Sequence, residues 1–424
     1  VGGSLLSPDS EGQLRAMRAA YAQAGWTPAD VQLIECHGTG PPRGDGVELK
    51  SLATMWEGVS SRAVIGSVKS NVGHLLTAAG MAGLTKVVKA IAHQELPPSA
   101  NVTSATLSPS LRTTPFDVLE APRAWSASRR RAAVSGFGFG GINAHLLLEQ
   151  YVAKSAAPAR ITVSEEPVAV IGMGAFVGAA RSLEELRAHQ FGATSLLTPR
   201  GARGRFSAPD ELGAWIHALE IPIGRFKIPP LEVPSVLPQQ LLMLQVAREA
   251  LDDAGGLGAG PHHATGAVVG IGLDLETTSF QLRWVLRERA AKWGLPLDEE
   301  TLRQLADRLS PPLDTQRTLG ALGGIVASRL AREVGLGGPS FGVQAEEAGG
   351  LRALEVATRL LQRRDVDRMI VGAVDLAGDV RRVLAARALG DERVMGDGAG
   401  ALVLKRLSDA QRDDVVGSSL RDAV

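Results

Sequence analysis

Short apolar runs alternate with amphipathic helical stretches along most of this chain, and this alternation is the strongest constraint on its fold. The runs with the length of buried strands are residues 31–35, 63–68, 132–135, 144–149, 167–172, 267–271, 341–343 and 369–374. The stretches with helical periodicity are residues 7–24, 49–56, 77–93, 238–254, 280–293, 324–334 and 348–362. Strands that alternate with helices predict an α/β fold with largely parallel sheets.

A stretch of little periodicity, residues 152–166, separates two such blocks. We interpret it as a linker between domains at residues 1–151 and 167–424. A length of 424 residues is compatible with two to three domains. Because the chain begins at Val1 with a pattern typical of the middle of a domain, and without a basic and apolar leader, we expect a piece of a larger cytoplasmic protein.

Composition excludes several classes of partner. The chain has 45 Lys and Arg residues and 45 Asp and Glu residues, so its formal net charge is zero and it has no overall attraction to nucleic acid or to an anionic membrane. Its single cysteine, Cys36, excludes an internal disulfide and a cysteine-based zinc site. No apolar run approaches the roughly 18 residues of a membrane span. We therefore expect no nucleic acid partner, no membrane span and no metal.

Two histidines each follow a predicted strand. His37 comes directly after the strand at residues 31–35, and His74 follows the strand at 63–68, just before a predicted helix. Loops at the carboxyl ends of parallel strands are where open α/β sheets hold ligands. The positive potential near a helix N-terminus favours a neutral imidazole, which can polarise a carbonyl or bind an enolate oxygen. Isolated histidines are more often structural, so these two positions alone leave both interpretations open.

Three glycine-containing motifs suggest other functions, but the residues around each of them do not fit that function. Gly136, Gly138 and Gly141 have the spacing of a dinucleotide-binding fingerprint, but the apolar run after them predicts a strand instead of the required helix. Gly172 and Gly174 lie at the end of another predicted strand, but the next glycine, Gly178, comes one residue too late for that fingerprint. A nicotinamide-dependent oxidoreductase is therefore a poor alternative. The sequence GPSFG at residues 338–342 has the spacing of a hydrolase elbow, but none of the eight histidines follows it.

Cys36 stands next to His37, and adjacent side chains of a strand point to opposite faces. The two residues therefore cannot form a nucleophile and base pair. We interpret Cys36 as a small buried thiol.

With its neighbours, each histidine belongs to a longer motif. The motifs of the first block are ECHGTG at residues 35–40 with Gly44, Asp45 and Glu48, GSVKSNVGH at 66–74 with AAG at 78–80, and VSGFGFGGINAH at 134–145. Together they resemble the C-terminal half of β-ketoacyl synthases, the condensing enzymes. The resemblance covers residues 1 to about 150 and implies a thiolase-like α/β fold.

The second block resembles the N-terminal half of the same family. The matching segments are PVAVIGMG at residues 167–174, PQQLLMLQVAREALDDAG at 238–255, GPSFGVQAEEAGGL at 338–351 and GDGAGALVLKRLSDA at 396–410. The order, a ketosynthase tail followed by a ketosynthase head, is similar to the tandem ketosynthase and chain-length-factor subunits of polyunsaturated fatty acid synthases. Type II polyketide systems use the same pair as separate chains.

The resemblance implies a decarboxylative Claisen condensation of acyl and malonyl thioesters. In this reaction a cysteine holds the acyl chain, and a malonyl group on the phosphopantetheine of an acyl carrier protein loses CO2 to give the attacking enolate. Carried over by motif, His37 and His74 stabilise the malonyl carbonyl and the enolate, and Lys69 positions His74 or its surroundings. The implied partners are an acyl carrier protein and a ketosynthase-type dimer partner, with no bound cofactor.

The resemblance also gives roles outside the histidine motifs. The N–H of Phe139, next to Gly138, belongs to the oxyanion hole, and the Phe139 ring gates the pocket. Thr39 contacts the phosphopantetheine arm. Pro41 stands where the family usually has a threonine, which puts one such contact in doubt.

The main departure from the family is at the nucleophile. Glu347 occupies the position of the cysteine, and a carboxylate cannot hold an acyl chain as a thioester. The second block is therefore expected to be a non-catalytic, chain-length-factor-like partner, although a carboxylate at a helix N-terminus is also simply stabilising. The nucleophile of the first block is expected upstream of Val1, so the chain alone should be inactive. The alternative function is a non-catalytic module for dimerisation and chain-length control.

Overall fold

The computed structural model describes residues 5, 7–103, 107, 109–153, 166–201, 210–258, 260, 262–274 and 276–413. The chain divides into two compact units, Val1–Ile161 and Thr162–Val424. Most of the predicted linker, residues 154–165, lies outside the described residues. The predicted domain limits at 151 and 167 therefore stay predictions.

The first unit is built on a five-stranded sheet. Its helices are α1 (Ser10–Ala24), α2 (Pro42–Met55), α3 (Lys69–Val72) and α4 (Ala79–His93). Its strands are β1 (Leu33–Glu35), β2 (Ala63–Gly66), β3 (Glu95–Leu96), β4 (Phe116–Asp117), β5 (Arg123–Ala124), β6 (Arg131–Phe137) and β7 (Asn143–Glu149). The strand order is β4-β2-β1-β6-β7, and β3 pairs separately with β5. All neighbours in the large sheet are parallel except β6 and β7.

Two helix starts differ from the sequence prediction because of local capping. Helix α1 begins at Ser10 rather than at residue 7, since the Asp9 carboxylate accepts the Gly12 N–H at 3.1 Å and caps the helix there. The helix predicted around residues 49–56 begins at Pro42. Proline is well suited to the first helical position, because that residue needs no N–H partner.

Both faces of the first sheet are covered, so alternate residues of β1 enter different layers. Ile34 packs with Met17 and Leu52 on one face. Leu33 packs with Val64 and Val87 on the other. This arrangement buries β1 in the middle of the sheet and directs the loops that follow β1 and β2 to the same edge.

His145, the last residue of the glycine-rich motif, is part of this buried interior. It is 7% exposed, its Nδ1 lies 3.1 Å from the Ser135 Oγ, and its ring stacks on Tyr21 with 5.7 Å between centroids. Among the described residues, its Nε2 has no hydrogen-bond partner. Burial lowers the pKa of His145 from 6.5 to about 4, so the ring is neutral at pH 7.

The second unit is larger and also layered. Its helices are α5 (Leu183–Phe191), α6 (Pro238–Asp253), α7 (Glu276–Lys292), α8 (Glu299–Leu309), α9 (Thr315–Gly320), α10 (Val326–Val334), α11 (Gly349–Gln362), α12 (Val380–Ala388) and α13 (Leu407–Arg412). Its strands are β8 (Val168–Val177), β9 (Thr198–Pro199), β10 (Leu212–Ala214), β11 (Thr265–Ile271), β12 (Ser340–Val343), β13 (Arg368–Leu376) and β14 (Met395–Arg406). The strand order is β12-β11-β13-β14-β10-β9, and β8 also pairs with β14.

The α/β prediction is confirmed, but the second sheet is more mixed than periodicity alone suggests. Strands β12, β11 and β13 are parallel, whereas β14 runs antiparallel to both β13 and β8. Periodicity does not predict β14, because its first half, GDGAGA, alternates glycine with small residues and lacks an apolar run. Only the family resemblance identifies this segment in the sequence.

The two glycines of the first strand motif in this unit serve packing. A Cβ on Gly172 would lie 2.3 Å from the Ala250 carbonyl oxygen, and one on Gly174 would lie 2.3 Å from that of Val246. Helix α6 therefore approaches β8 so closely that only glycine fits. This contact accounts for the motif without a dinucleotide.

Candidate active site

The structure brings His37 and His74 together at one edge of the first sheet. The two ring centroids are 5.9 Å apart and the rings are nearly perpendicular, at 83°. They meet because β1 and β2 are adjacent and parallel, so the loops after these strands emerge side by side. Two imidazoles at this separation can address neighbouring atoms of one small ligand.

His37 is half-buried at the end of β1. Its ring contacts Phe137, with 5.9 Å between centroids. Burial lowers the pKa of His37 to about 4, and the charges of Lys69 and His74 act in the same direction. The ring is therefore neutral at pH 7 and offers one N–H donor.

His74 is exposed, and a backbone hydrogen bond sets its tautomer. The Leu76 N–H donates to the His74 Nδ1 at 2.9 Å, so the neutral ring carries its proton on Nε2. Leu76 adopts a left-handed backbone with φ of 49°, which is uncommon for a residue with a side chain. This turn orients the ring.

His74 lies just before a helical stretch, as the sequence predicts. A turn at Leu76–Ala78 runs directly into α4, which begins at Ala79 rather than at residue 77. The Leu76 N–H that donates to the His74 Nδ1 is the first amide of this stretch, so the N-terminus of the helical stretch orients the ring through this hydrogen bond.

Lys69 is half-buried at the start of α3, the short helix that precedes His74. Burial lowers the pKa of Lys69, while the charges of Glu35 and Glu48 raise it. Lys69 in turn contributes to the low pKa of His37, which places the two groups within electrostatic range.

Glu48 binds the backbone of the loop that carries His37. Its two carboxylate oxygens accept the backbone N–H groups of His37 at 2.7 Å and Gly38 at 2.9 Å. Burial raises the pKa of Glu48 to about 7, although these two hydrogen bonds oppose the shift. In the sequence Glu48 is only a member of a motif, and its spacing from His37 by 11 residues is the available signal.

Thr39 lies half-buried in the loop after His37, and Asp45 accepts the Gly40 N–H at 3.2 Å. The Pro41 carbonyl oxygen accepts the Asp45 N–H at 3.1 Å, so Pro41 caps the backbone of α2. Replacing the family's threonine by proline thus removes a hydroxyl but leaves the helix start intact.

Backbone hydrogen bonds hold the glycine loop between β6 and β7, both within the loop and to the N-terminal segment. Gly138 donates to the Ile142 carbonyl at 2.7 Å, and Gly140 donates to the Leu5 carbonyl at 2.7 Å. The Phe139 amide is not among these donors, and its side chain is 58% exposed. Phe137, not Phe139, is the aromatic ring that contacts His37, and sequence reasoning gives Phe137 no role.

Cys36 is 8% exposed, and burial raises the pKa of its thiol well above the ordinary value. A thiol in this environment is a poor nucleophile. The prediction of a small buried thiol is confirmed.

Glu347 belongs to the second unit and follows β12 in a turn at Glu346–Ala348. Glu346 has a left-handed backbone with φ of 47°, and both glutamates are exposed. A sharp, strained turn between a strand and a helix is the geometry of a nucleophile elbow. Glu347 lies in such a turn, directly after the residue with the left-handed backbone.

The described part of the chain contains no group of three or more His, Cys, Asp or Glu side chains placed to hold a metal ion. Within the same residues, no helix has both the length and the apolar content needed to cross a bilayer.

Family comparisons match both units, in the order that the motifs indicate. The pattern of the β-ketoacyl synthase C-terminal domain matches residues 2–103, and that of the β-ketoacyl synthase N-terminal domain matches residues 165–410. A solved structure described as a PfaC ketosynthase and chain length factor is 30% identical, with a TM-score of 0.81, and the match covers 96% of this chain and 47% of that one.

Curated relatives are multidomain synthases. A polyunsaturated fatty acid synthase polypeptide of Thraustochytrium sp. is 30% identical over 459 residues, which cover 96% of this chain and 21% of the relative. Polyketide synthase ThaG of Burkholderia thailandensis is 35% identical over 286 residues, which cover 61% of this chain and 5% of the relative. The chain thus spans only a fraction of the length of these relatives. It belongs to the β-ketoacyl synthase family, with a C-terminal domain of that family preceding an N-terminal one.

Proposed function

We propose that the chain is part of a ketosynthase and chain-length-factor unit of a polyunsaturated fatty acid or polyketide synthase. In this proposal the first unit supplies the enolate-binding half of a site for decarboxylative condensation of acyl and malonyl thioesters. The observation that carries it is the pair of imidazoles, His37 and His74, 5.9 Å apart at the edge of one sheet.

The chemistry requires hydrogen-bond donors aimed at the developing enolate oxygen. When a malonyl thioester loses CO2, the electron pair of the broken C–C bond passes into an enolate, whose oxygen needs hydrogen-bond donors. The low pKa of His37 keeps that ring neutral, and the Leu76 hydrogen bond leaves the proton of neutral His74 on Nε2. The enolate carbon then attacks the acyl thioester, and the thiolate of the nucleophile leaves.

The remaining roles follow the family. Lys69 would orient the region around His74, the Phe139 N–H beside Gly138 would bind the oxyanion, and the Phe139 ring would gate the entrance. Thr39 would contact the phosphopantetheine arm of an acyl carrier protein. The proposal includes a ketosynthase-type dimer partner, no bound cofactor and a cytoplasmic location.

Glu347 supports a non-catalytic second unit. A thioester needs a sulfur, and the elbow presents a carboxylate. The chain by itself would therefore neither load an acyl group nor condense one. The same observation favours the alternative that both units serve only dimerisation and chain-length control.

Binding of a non-reactive malonyl-pantetheine amide to the full chain separates these two functions. NMR signals of His37 and His74 should shift on titration, and His74→Ala should abolish the shift of His37. His93→Ala is the matched control, because His93 is an exposed histidine at the end of α4 in the same unit. Equal binding by His74→Ala and the unchanged chain would refute the catalytic assignment in favour of the interaction module.

A further inference from the structure

An ion pair inside the first unit lies directly behind the candidate site. The Glu35 Oε2 is 2.7 Å from the Lys86 Nζ, and the two side chains are 3% and 14% exposed. Glu35 ends β1, two residues before His37, and Lys86 lies on α4. Buried charges of this kind are costly unless each is fully partnered, so the pair calls for an explanation beyond stability.

The second oxygen of Glu35 reaches the segment that carries Lys69. The Glu35 Oε1 accepts the Val68 N–H at 2.5 Å, and Val68 is the residue immediately before α3. One carboxylate thus links the end of β1, the start of α3 and the middle of α4. The histidine loops on both sides depend on these three elements.

Two glycines lie close to this pair, and one of them provides space for it. A Cβ on Gly83 would lie 2.9 Å from the Glu35 Cγ. A Cβ on Gly66 would lie 2.6 Å from the Ser99 Oγ and 3.4 Å from the Lys86 Nζ. A side chain at Gly83 would displace the Glu35 carboxylate, so the absence of a side chain there helps to hold the pair.

We propose that Glu35 is a positioning residue that acts through Lys69, with Lys86 orienting its carboxylate. The role rests on the proposed function of the two histidines. Glu35 fixes the backbone at Val68 and supplies negative charge beside the half-buried ammonium of Lys69. Of the charges that favour protonated Lys69, that of Glu35 has the largest effect, ahead of Glu48.

An ion pair with only a structural role would stabilise the fold without changing the titration midpoint of Lys69. Variants of Glu35 and Lys86 distinguish this role from the positioning role. Glu35→Gln keeps an oxygen acceptor for the Val68 N–H and removes the charge. The midpoint of the Lys69 titration, followed through its side-chain NMR signals in the full chain, should then fall. Lys86→Met removes a positive charge and frees the carboxylate, so the same midpoint should rise.

The matched control is Glu149→Gln, which breaks the Arg131 ion pair (N–O distance 2.6 Å) between β6 and β7 of the same unit. It should leave the Lys69 midpoint unchanged. An unchanged midpoint in folded Glu35→Gln would overturn the proposal and leave the pair a structural one. If a single variant does not fold, the neutral double variant Glu35→Gln with Lys86→Met takes its place. Its midpoint should lie below that of the unchanged chain, because the Glu35 carboxylate is hydrogen-bonded to the residue next to Lys69, and a midpoint at or above that of the unchanged chain would overturn the proposal. The titration uses no substrate, so its outcome is independent of malonyl binding.

Discussion

Lowering the pH should destabilise the first unit through His145. The pKa of this buried ring is about 4 in the folded chain against an ordinary 6.5, so the unfolded chain binds the proton more tightly. Stability is therefore undiminished above pH 6.5 and falls as the pH drops toward 4. The full shift corresponds to about 3 kcal/mol, of which about 2.5 kcal/mol is lost between pH 7.5 and 4.5.

The matched variant is His145→Phe, which keeps a ring against Tyr21 and cannot titrate. His37 and Glu48 also titrate in this range, and Glu48 acts in the opposite sense because its pKa is raised. His37 and Glu48 are present in both the unchanged chain and the variant. The difference in the free energy of unfolding between these two chains therefore reports on His145. Urea denaturation at pH 7.5 and 4.5, followed by hydrogen exchange of β6 and β7 peptides, measures this difference for the first unit alone.

The free energy of unfolding of the unchanged unit should drop by about 2.5 kcal/mol more than that of the variant across this interval. A variant that loses as much stability as the unchanged chain would refute the assignment of the shift to burial of His145. That result would mean that the ring gains a partner or becomes solvated when it is protonated.

Two further substitutions test the packing and capping arguments. Gly174→Ala should destabilise the second unit by about 2 kcal/mol or more, because its Cβ would meet the Val246 carbonyl oxygen at 2.3 Å. Thermal unfolding followed by hydrogen exchange of β8 peptides measures this loss. The control is Gly323→Ala, a position with open space around the added methyl group. Asp9→Ala should cost the first unit about 1 kcal/mol by removing the cap of α1. Urea denaturation should show no such loss for Arg18→Ala, an exposed position in the middle of the same helix.

Several features could be read from the sequence because they depend on neighbouring residues. Helix α6 and its Pro238 start follow from periodicity and from the preference of proline for a first turn. The burial of Cys36 follows from its place directly after an apolar strand. The glutamate at the nucleophile position follows from alignment with a family motif. The same resemblance marks the segment at residues 396–410, which contains most of β14, but it does not predict that this segment is a strand.

Other features depend on contacts between distant segments. Periodicity does not predict three contacts of the two histidines, because each depends on the course of the backbone in a loop or on a distant strand. They are the Leu76 hydrogen bond to His74, the Glu48 carboxylate that binds the His37 loop, and the Phe137 ring beside His37. The helix after His74 is predicted, but the turn at Leu76–Ala78 that opens it is not. Sequence spacing gives the approximate position of a helix end but not the turn that precedes it.

The sequence alone determined the α/β class, the two blocks and the family to which they belong, because these rest on local periodicity and on motifs of contiguous residues. The tertiary structure decided that His37 and His74 face each other, and that Glu35 joins three elements behind them. These relations require a specific strand order, in which β1 lies between β2 and β6. The local sequence of a strand does not specify which distant strand pairs with it.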